Sequence, residues 1–554
     1  MPYRTFSREQ DWLLPPSLGE LLASDHPVRF VAEFVDLLEL EQVGILAEPA
    51  VEGAPSFHPR VLLGVWLYGF MVRVRSSRKL EAACRENVAF MWLTGLQRPD
   101  HVTLWRFYKQ NRKVMRQLLK RTVCLATEVG LVDFALQAVD GSRVAVSSLD
   151  SLKGRAALEK LLAQVEAAIV AMEQANECED GPDGRTRPGP HALLGKHEMR
   201  ERLQRALAAL AELEKAPTAA ADKSTEPRAD TTSVAESVAE TSPSQSPSEG
   251  QVNPGRGLAT VPLQTSSLDS AGQRPADSEA QTTTAPEQPA KPAQEPRISA
   301  SDPEAVWIKG RHGFALGYNG QAVVDSKAQI IVAADLVACG GDGDQLAPML
   351  DEAQAMTGRS AQVVATDTGY FSMIGIAHAQ ELGIEAYVPD RRATRKDGPT
   401  KNPYHKEHFV YDAVSDTFTC PLGQFLTYYA DEQRQRRKVR VFKCHTCSGC
   451  PAQASGECTK SPGRRITLYG HEVALKVHAA KMQTEEARTI LRQRSAIVEP
   501  VFAIFREQLG LVRFLVRGLE NVKAEWRLLA IAHNLRKLWK LWWRPKMRHD
   551  LAVG

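Results

Sequence analysis

The chain has 554 residues, 43% of them hydrophobic and 24% charged, with a formal net charge of +3. That length excludes a single ordinary core and calls for about two to four domains. The best apolar run, Val61 to Val72, is too short to span a bilayer and no secretory leader is visible, so a soluble, cytoplasmic protein is expected.

Residues 1–130 read as a helical N-terminal domain for DNA binding or dimerisation. Pro59 to Val74, Ser77 to Leu93 and His101 to Val114 repeat apolar residues at helical spacing, and Asp100 is placed to cap the third. Arg73, Arg75, Arg78, Lys79, Arg106, Lys109, Arg112 and Lys113 fall on outer faces, as in a helix-turn-helix-like module. An ordinary bundle with a solvated basic face is the plainer alternative. Residues 131–150 begin a second core, with the apolar run Phe134 to Val139 ending at Asp140 before Gly141. Residues 151–216 hold two helical runs, Leu152 to Glu177 and His197 to Lys215, expected to form an antiparallel hairpin.

Residues 217–300 carry 6 Lys/Arg against 11 Asp/Glu and no Phe, Trp or Tyr. Such a segment buries too little apolar surface to offset its ordering entropy and is expected to be a disordered insertion. Residues 301–390 resume the core. His312 to Val324 and Gln329 to Val337 alternate as a hairpin, and Asp342 and Asp344 read as caps of a helix running to about Met356. Val363 to Thr366 is a strand ending at Asp367, followed by a helix from Ser372 to Leu382 and a strand from Ile384 to Val388. Residues 391–475 turn to short strands and form a β-rich, cysteine-containing insertion domain. Residues 476–554 supply closing helices, with 14 basic against 7 acidic residues from Thr484 onward, a balance suited to a polyanion.

With the insertions removed, the element order is that of an α/β, RNase H-like mixed sheet flanked by helices. In that layout the first and fourth strands are neighbours, so Asp140 and Asp367 meet, and Glu499 joins from a late helix. A carboxylate closing a buried strand is costly without a cation beside it, so three such acids point to a divalent-metal site able to cut or join phosphodiesters. Taken singly, Asp140 before Gly and Asp367 before Thr-Gly are ordinary turn residues. Cys444, Cys447, Cys450 and Cys458 follow a C-x2-C-x2-C-x7-C pattern suited to tetrahedral Zn2+, with a metal-free hairpin as the alternative. Arg436, Arg437 and Lys438 beside them could grip a DNA backbone. Trp526, Trp539, Trp542 and Trp543 either stack on bases or pack the closing helices.

Several short motifs occur together and in order: Phe57-His-Pro-Arg60, Ser76-Ser-Arg-Lys-Leu80, Pro99-Asp-His-Val-Thr103, Asp140-Gly-Ser-Arg143, Gly317-Tyr-Asn-Gly-Gln321, Ala365-Thr-Asp-Thr-Gly-Tyr370, Val498-Glu-Pro-Val-Phe502 and Arg517-Gly-Leu-Glu520. Together they resemble bacterial insertion-sequence transposases of the DDE type, most of all the cysteine-containing group numbered eleven eighty-two, over nearly the whole chain outside about 150–300. The resemblance implies an enzyme whose catalytic acids Asp140, Asp367 and Glu499 hold two Mg2+ or Mn2+ ions, which cleaves transposon ends and joins them to target DNA without ATP. It implies double-stranded DNA as partner, a homodimer on that DNA, and a nucleoid-associated location. Arg506 matches the family's basic residue seven positions after the Glu, and Arg492, Glu499 and Arg506 share a seven-residue spacing that a continuous helix would place on one face. Arg143, Arg492, Arg494 and Arg506 are the expected phosphate contacts. Pro500, next to Glu499, predicts a kink or restart of that helix.

Overall fold

A computed structural model describes residues 17–46, 56–147, 151–177, 190–215, 296–310, 313–390, 402–412, 414–434, 437–468 and 472–553. The expected disordered insertion therefore lies outside the described residues as far as 295. The contact pattern separates residues 211–296 as a unit of their own; the other unit holds the sheets and the site.

That unit opens with seven helices, α1 (Pro27–Asp36), α2 (Leu40–Val43), α3 (Pro59–Met71), α4 (Ser77–Glu86), α5 (Val88–Thr94), α6 (His101–Asn111) and α7 (Met115–Glu128). Asp100 caps α6 as expected, its Oδ1 accepting the Thr103 N–H at 2.6 Å. The run from Ser77 to Leu93 is two helices, because Asn87 is extended and its Oδ1 accepts the Ala89 N–H at 2.9 Å, restarting the chain as an N-cap. Arg75 is not on an outer face: it is buried and ion-paired with buried Glu525.

The sheet starts with β1 (Leu136–Ser147). Then come β2 (Leu152–Lys153), α8 (Arg155–Glu177), α9 (Pro190–Lys215) and β3 (Ile298–Ser299). Helices α8 and α9 pack on each other through Leu158, Val165, Ile169, Leu203, Ala206 and Leu210, closed off by Ile298. Next are β4 (Val306–Gly310), β5 (Gly313–Asp325), β6 (Ile331–Val337), α10 (Leu346–Thr357), β7 (Val363–Ala365), α11 (Met373–Glu381) and β8 (Glu385–Tyr387). β4 and β6 lie end to end along one edge of β5, and the order continues β5-β1-β7-β8. β1 is antiparallel to β5 and parallel to β7, so the sheet is mixed, as expected. The exposed edge of β6 at Ile331 is closed by Asn534, whose side chain accepts the Ile331 N–H and donates to its carbonyl, both at 2.9 Å.

Two readings of this region are corrected. β1 does not end at Asp140: the long β5 offers partners from Asp325 back to Leu316, so the strand runs on to Ser147 and the Asp-Gly pair makes no turn. Asp342 does not cap α10 with its side chain. The N-cap position is Gln345, and the Asp342 carboxylate is turned toward β5 instead.

The β-rich segment is a five-stranded antiparallel sheet, β9 (Val410–Asp412), β10 (Thr417–Thr419), β11 (Phe425–Arg434), β12 (Arg437–Cys444) and β13 (Arg465–Leu468), in the order β13-β12-β11-β10-β9. Its own core is Phe409, Phe418, Leu426, Phe442 and Ile466 together with Cys444 and Cys447. The chain closes with α12 (Pro451–Ala454), α13 (Glu472–Lys481), α14 (Glu485–Glu507), α15 (Leu519–Leu538), a π-helical turn at Trp539–Trp543 and α16 (Arg544–Val553). α15 is buried on nearly every face and shares one core with α3, α7 and β6.

Of the kink or restart expected at Pro500, the restart does not occur, and α14 runs through Pro500 without interruption. Proline cannot donate to the carbonyl four residues back, which would leave Ala496 C=O orphaned. Gln329, in the β5–β6 turn, supplies the missing donor, its Nε2 reaching Ala496 O at 3.0 Å. Trp526 is fully buried and donates to Gln321 O at 2.9 Å, while Trp539 and Trp543 donate to Asp25 O and to Glu33; these three tryptophans pack the fold. No helix among the described residues is long and apolar enough to cross a membrane.

Candidate active site

The register of the parallel pair places the first two acids. Ala138 of β1 stands opposite Ala365 of β7. Two residues on from this pair are Asp140, still within β1, and Asp367, which lies just past the end of β7 as the N-cap of a 3-10 turn at Thr368–Tyr370. Residues 227 positions apart are thus delivered to one end of the sheet by two short apolar runs. Asp140 is largely buried, and burial pushes its carboxyl up to about 6. Arg494 and the Gly141 N–H pull the other way, whereas the charges of Asp367 and Asp342 add to the rise. The Arg494 Nη2 donates to Asp140 Oδ2 at 2.8 Å, and the Gly141 N–H to Oδ1 at 2.8 Å. Asp367 Oδ1 accepts the Gly369 N–H at 2.8 Å.

A third aspartate belongs to this group. Asp342 Oδ1 accepts from Asn319 Nδ2 at 2.7 Å and Gln321 Nε2 at 2.9 Å, and Oδ2 faces Arg143 Nη2 at 3.3 Å. Asn319 and Gln321 are fully buried in β5, and Gln321 also accepts the hydroxyl of buried Tyr370. Tyr370 is held far above its ordinary range, first by burial and then by the charges of Asp342, Asp140 and Asp367. Sequence reasoning missed this layer, although two amides two residues apart in an otherwise apolar strand are a signal that polar work is done on one face.

Glu499 is exposed on α14 and makes no hydrogen bond or ion pair among the described residues, while its neighbour Val498 is buried against the core. The continuous helix does place Arg492, Glu499 and Arg506 on one exposed stripe, with Arg492 paired to Glu485 at 3.3 Å. Arg494 points inward to Asp140 and Arg143 to Asp342. Arg436 lies outside the described residues, and Arg437 and Lys438 are placed only as backbone of β12.

The four cysteines of the C-x2-C-x2-C-x7-C pattern line one small cavity, and Cys420, after β10, joins them there with Arg464 and Gln424. The Cys420 sulfur accepts the Gln424 N–H at 3.2 Å, and burial pushes the Cys447 thiol up to about 11. Among the described residues no group of three or more His, Cys, Asp or Glu side chains is already arranged to hold a metal ion.

Comparison with protein families finds two transposase domains in the chain. The transposase DDE domain matches residues 419–539, and a second transposase domain (DUF772) matches residues 16–110. No curated protein and no solved structure matches the chain. The two matches indicate an insertion-sequence DDE transposase, an enzyme of metal-dependent DNA cleavage and strand transfer.

Proposed function

We propose that this transposase cleaves the ends of its own element and joins them to target DNA in an RNase H-like core, with Asp140, Asp367 and Glu499 as its catalytic acids. The observation that carries the reading is that Asp140 and Asp367 each follow by two residues the Ala138–Ala365 pair of two adjacent parallel strands. The sheet order, with a hairpin on one side of β1 and two parallel strands on the other, supports the RNase H-like assignment. Support for Glu499 is its place five residues after Arg494, or about 7.5 Å along the helix axis, on a helix whose Arg494 already reaches Asp140.

The donor set fits a pair of hard divalent cations, Mg2+ or Mn2+. It offers carboxylate oxygens, a buried carboxyl raised to about 6 that a cation would hold ionised, and an arginine standing where positive charge is required. Bound there, such ions supply activation of the attacking hydroxyl and stabilisation of the leaving oxygen in an in-line displacement. The chain's own part is to orient. Gly141 and Gly369 N–H groups fix one oxygen each of Asp140 and Asp367, leaving the other oxygen of each to face the reaction. Arg494 holds Asp140 in place until DNA arrives and can then turn to a phosphate, joined by Arg143 and by the exposed stripe of Arg492 and Arg506.

The partner is double-stranded DNA, both the transposon ends and the target, and two ends held together require two copies, so we assign a homodimer on DNA and a nucleoid-associated location. The cysteine cavity supports membership of the cysteine-containing group and a structural Zn2+ site, in which Cys420 supplements Cys444, Cys447, Cys450 and Cys458. Arg436, Arg437 and Lys438 on the adjoining hairpin would then grip DNA beside the scissile bond. Incubating the full chain with Mg2+ or Mn2+, its own end sequences and a target duplex tests the reading: joined product is expected. Cleaved ends alone would reduce it to a nuclease, and a gel shift without chemistry would make the chain a retired DNA-binding protein.

A further inference from the structure

The β9–β13 sheet has two unlike faces. One face packs the segment's own core through Phe418, Leu426, Phe442 and Ile466. Residues one step along each strand point the other way, and there Phe425 is 63% exposed. On the same outer face Thr427, Lys443 and Arg465 stand opposite one another across β11, β12 and β13. The pairing of β11 with β12 slips between Tyr428 and Ala430, so Tyr429 is an extra residue with no partner opposite it. A bulge of this kind re-aims a side chain. Here it brings the Tyr429 ring to the outer row, 5.2 Å from the Lys443 ammonium and 5.0 Å from the Arg465 guanidinium, and leaves it 45% exposed.

The charges on this face are unanswered. Arg440, which lies over the neighbouring Tyr428 ring, is met by the Asp416 carboxylate. Lys443 and Arg465 have no carboxylate partner among the described residues, and the tyrosine ring is what they touch. Cations of this sort hold phosphate, while an exposed ring stacks on another planar ring. An unpaired nucleotide strand brings both, whereas a closed duplex offers its phosphates and keeps its base faces covered. Phe425, four residues before Tyr429 and about 13 Å along the strand, presents a second ring to the same ligand.

We infer that the outer face of this sheet, centred on Tyr429 with Lys443 and Arg465 beside it, binds single-stranded DNA by stacking on its unpaired bases. This rests on the DNA-processing reading of the chain and adds to it a surface for the bases rather than the backbone. Lys443 and Arg465 take the phosphates that flank a base stacked on Tyr429, and the bulge is the device that sets the ring between cation and solvent.

The test is fluorescence anisotropy of the full chain with labelled oligothymidylate and, separately, with a labelled duplex of the element's end. Tyr429→Ala is expected to weaken oligothymidylate binding about tenfold, the effect of losing one stacked base, and to change duplex binding by less than about twofold. Tyr429→Trp, which keeps a stacking ring, should bind oligothymidylate at least as tightly as wild type. If Tyr429→Ala binds oligothymidylate as wild type and only the Lys443→Ala, Arg465→Ala double variant is weakened, the face is a phosphate contact and the inference is overturned. Equal losses on single strand and duplex overturn it as well. A wild-type chain that joins its ends to target DNA but does not bind oligothymidylate sinks this inference and leaves the transposase reading standing. Should Tyr429→Ala melt early, photo-crosslinking of the wild type to an oligonucleotide carrying 5-iodouracil decides: a crosslink at Tyr429 or Phe425 is expected, and crosslinks that map only elsewhere count against the face.

Discussion

Arg494→Gln removes the cation that Asp140 touches, and its effect separates a structural ion pair from a stand-in for metal. The guanidinium lies 2.8 Å from Asp140 Oδ2, with side-chain exposures of only 12% and 17%. Breaking a fully buried pair costs about 3–5 kcal/mol; here the carboxylate keeps the Gly141 N–H and some solvent, so about 2 kcal/mol is the reasonable magnitude. At pH 7.5, above the carboxyl's value of about 6, that loss falls on an ionised group. Calorimetric melting of the full chain without DNA should show a drop of a few degrees, on the order of 3 °C. Saturating Mn2+ should then raise the variant's Tm more than the wild type's, because in the wild type the ion must displace an arginine, while in the variant it fills a vacated place. Saturation at about 100 Kd is worth about 2.7 kcal/mol, enough to recover the deficit. Equal Mn2+ shifts in the two proteins, or no loss of stability in the variant, would refute the reasoning.

Gln329→Ala should uncover the Ala496 carbonyl beneath Pro500 and cost about 1 kcal/mol; faster amide exchange confined to the middle of α14 checks it, and unchanged exchange counts against it. His533 is buried, donates through Nε2 to Gln329 O at 2.8 Å, and is lowered by burial from 6.5 to about 4. Its folded value being depressed, its contribution is complete above pH 6.5 and is lost as the unfolded chain takes up the proton between pH 6.5 and about 4. Over that window about 3 kcal/mol should disappear, and His533→Phe should flatten the urea midpoint against pH; a parallel slope would contradict it. Cys420→Ser should lower the zinc content of purified protein measured by mass spectrometry, whereas Cys124→Ser should not; equal zinc in both would exclude Cys420 from the site.

The sequence exposes what local rules govern and hides what the tertiary fold decides. Asp140 and Asp367 were legible because each follows a short apolar run, and two such runs in an α/β order become parallel neighbours. The length of β1 was not, since Asp-Gly is a turn signal that loses only when a strand as long as β5 stands opposite. Asp342 resembled a helix cap because Asp before a helical run usually is one; only the fold shows that two buried amides outbid the helix end for its carboxylate. Pro500 argued for a kink through a rule that is correct locally, and the remedy came from Gln329, over 160 residues away. Cys420 falls in the same cysteine-rich region of the sequence but outside the spaced motif, and the pairing of β10, β11 and β12 brings it to the cavity that the other four line.

Arg75 ties the two matched transposase segments to one another. From just after α3 it reaches the carbonyls of Gly510 and Arg513 and pairs with Glu525, whose carboxylate in turn accepts the Leu515 N–H at 2.9 Å and the Val516 N–H at 3.3 Å. A buried pair of this kind adds little stability by itself; what it fixes is geometry. Here it fixes the loop between α14 and α15, and from that loop the Phe514 N–H bonds Ala145 O of β1 at 3.0 Å. The N-terminal helices therefore set the seat of α14 against the strand that carries Asp140. Helix α14, whose Arg494 meets Asp140, is thus tied through one loop both to the N-terminal helices and to β1.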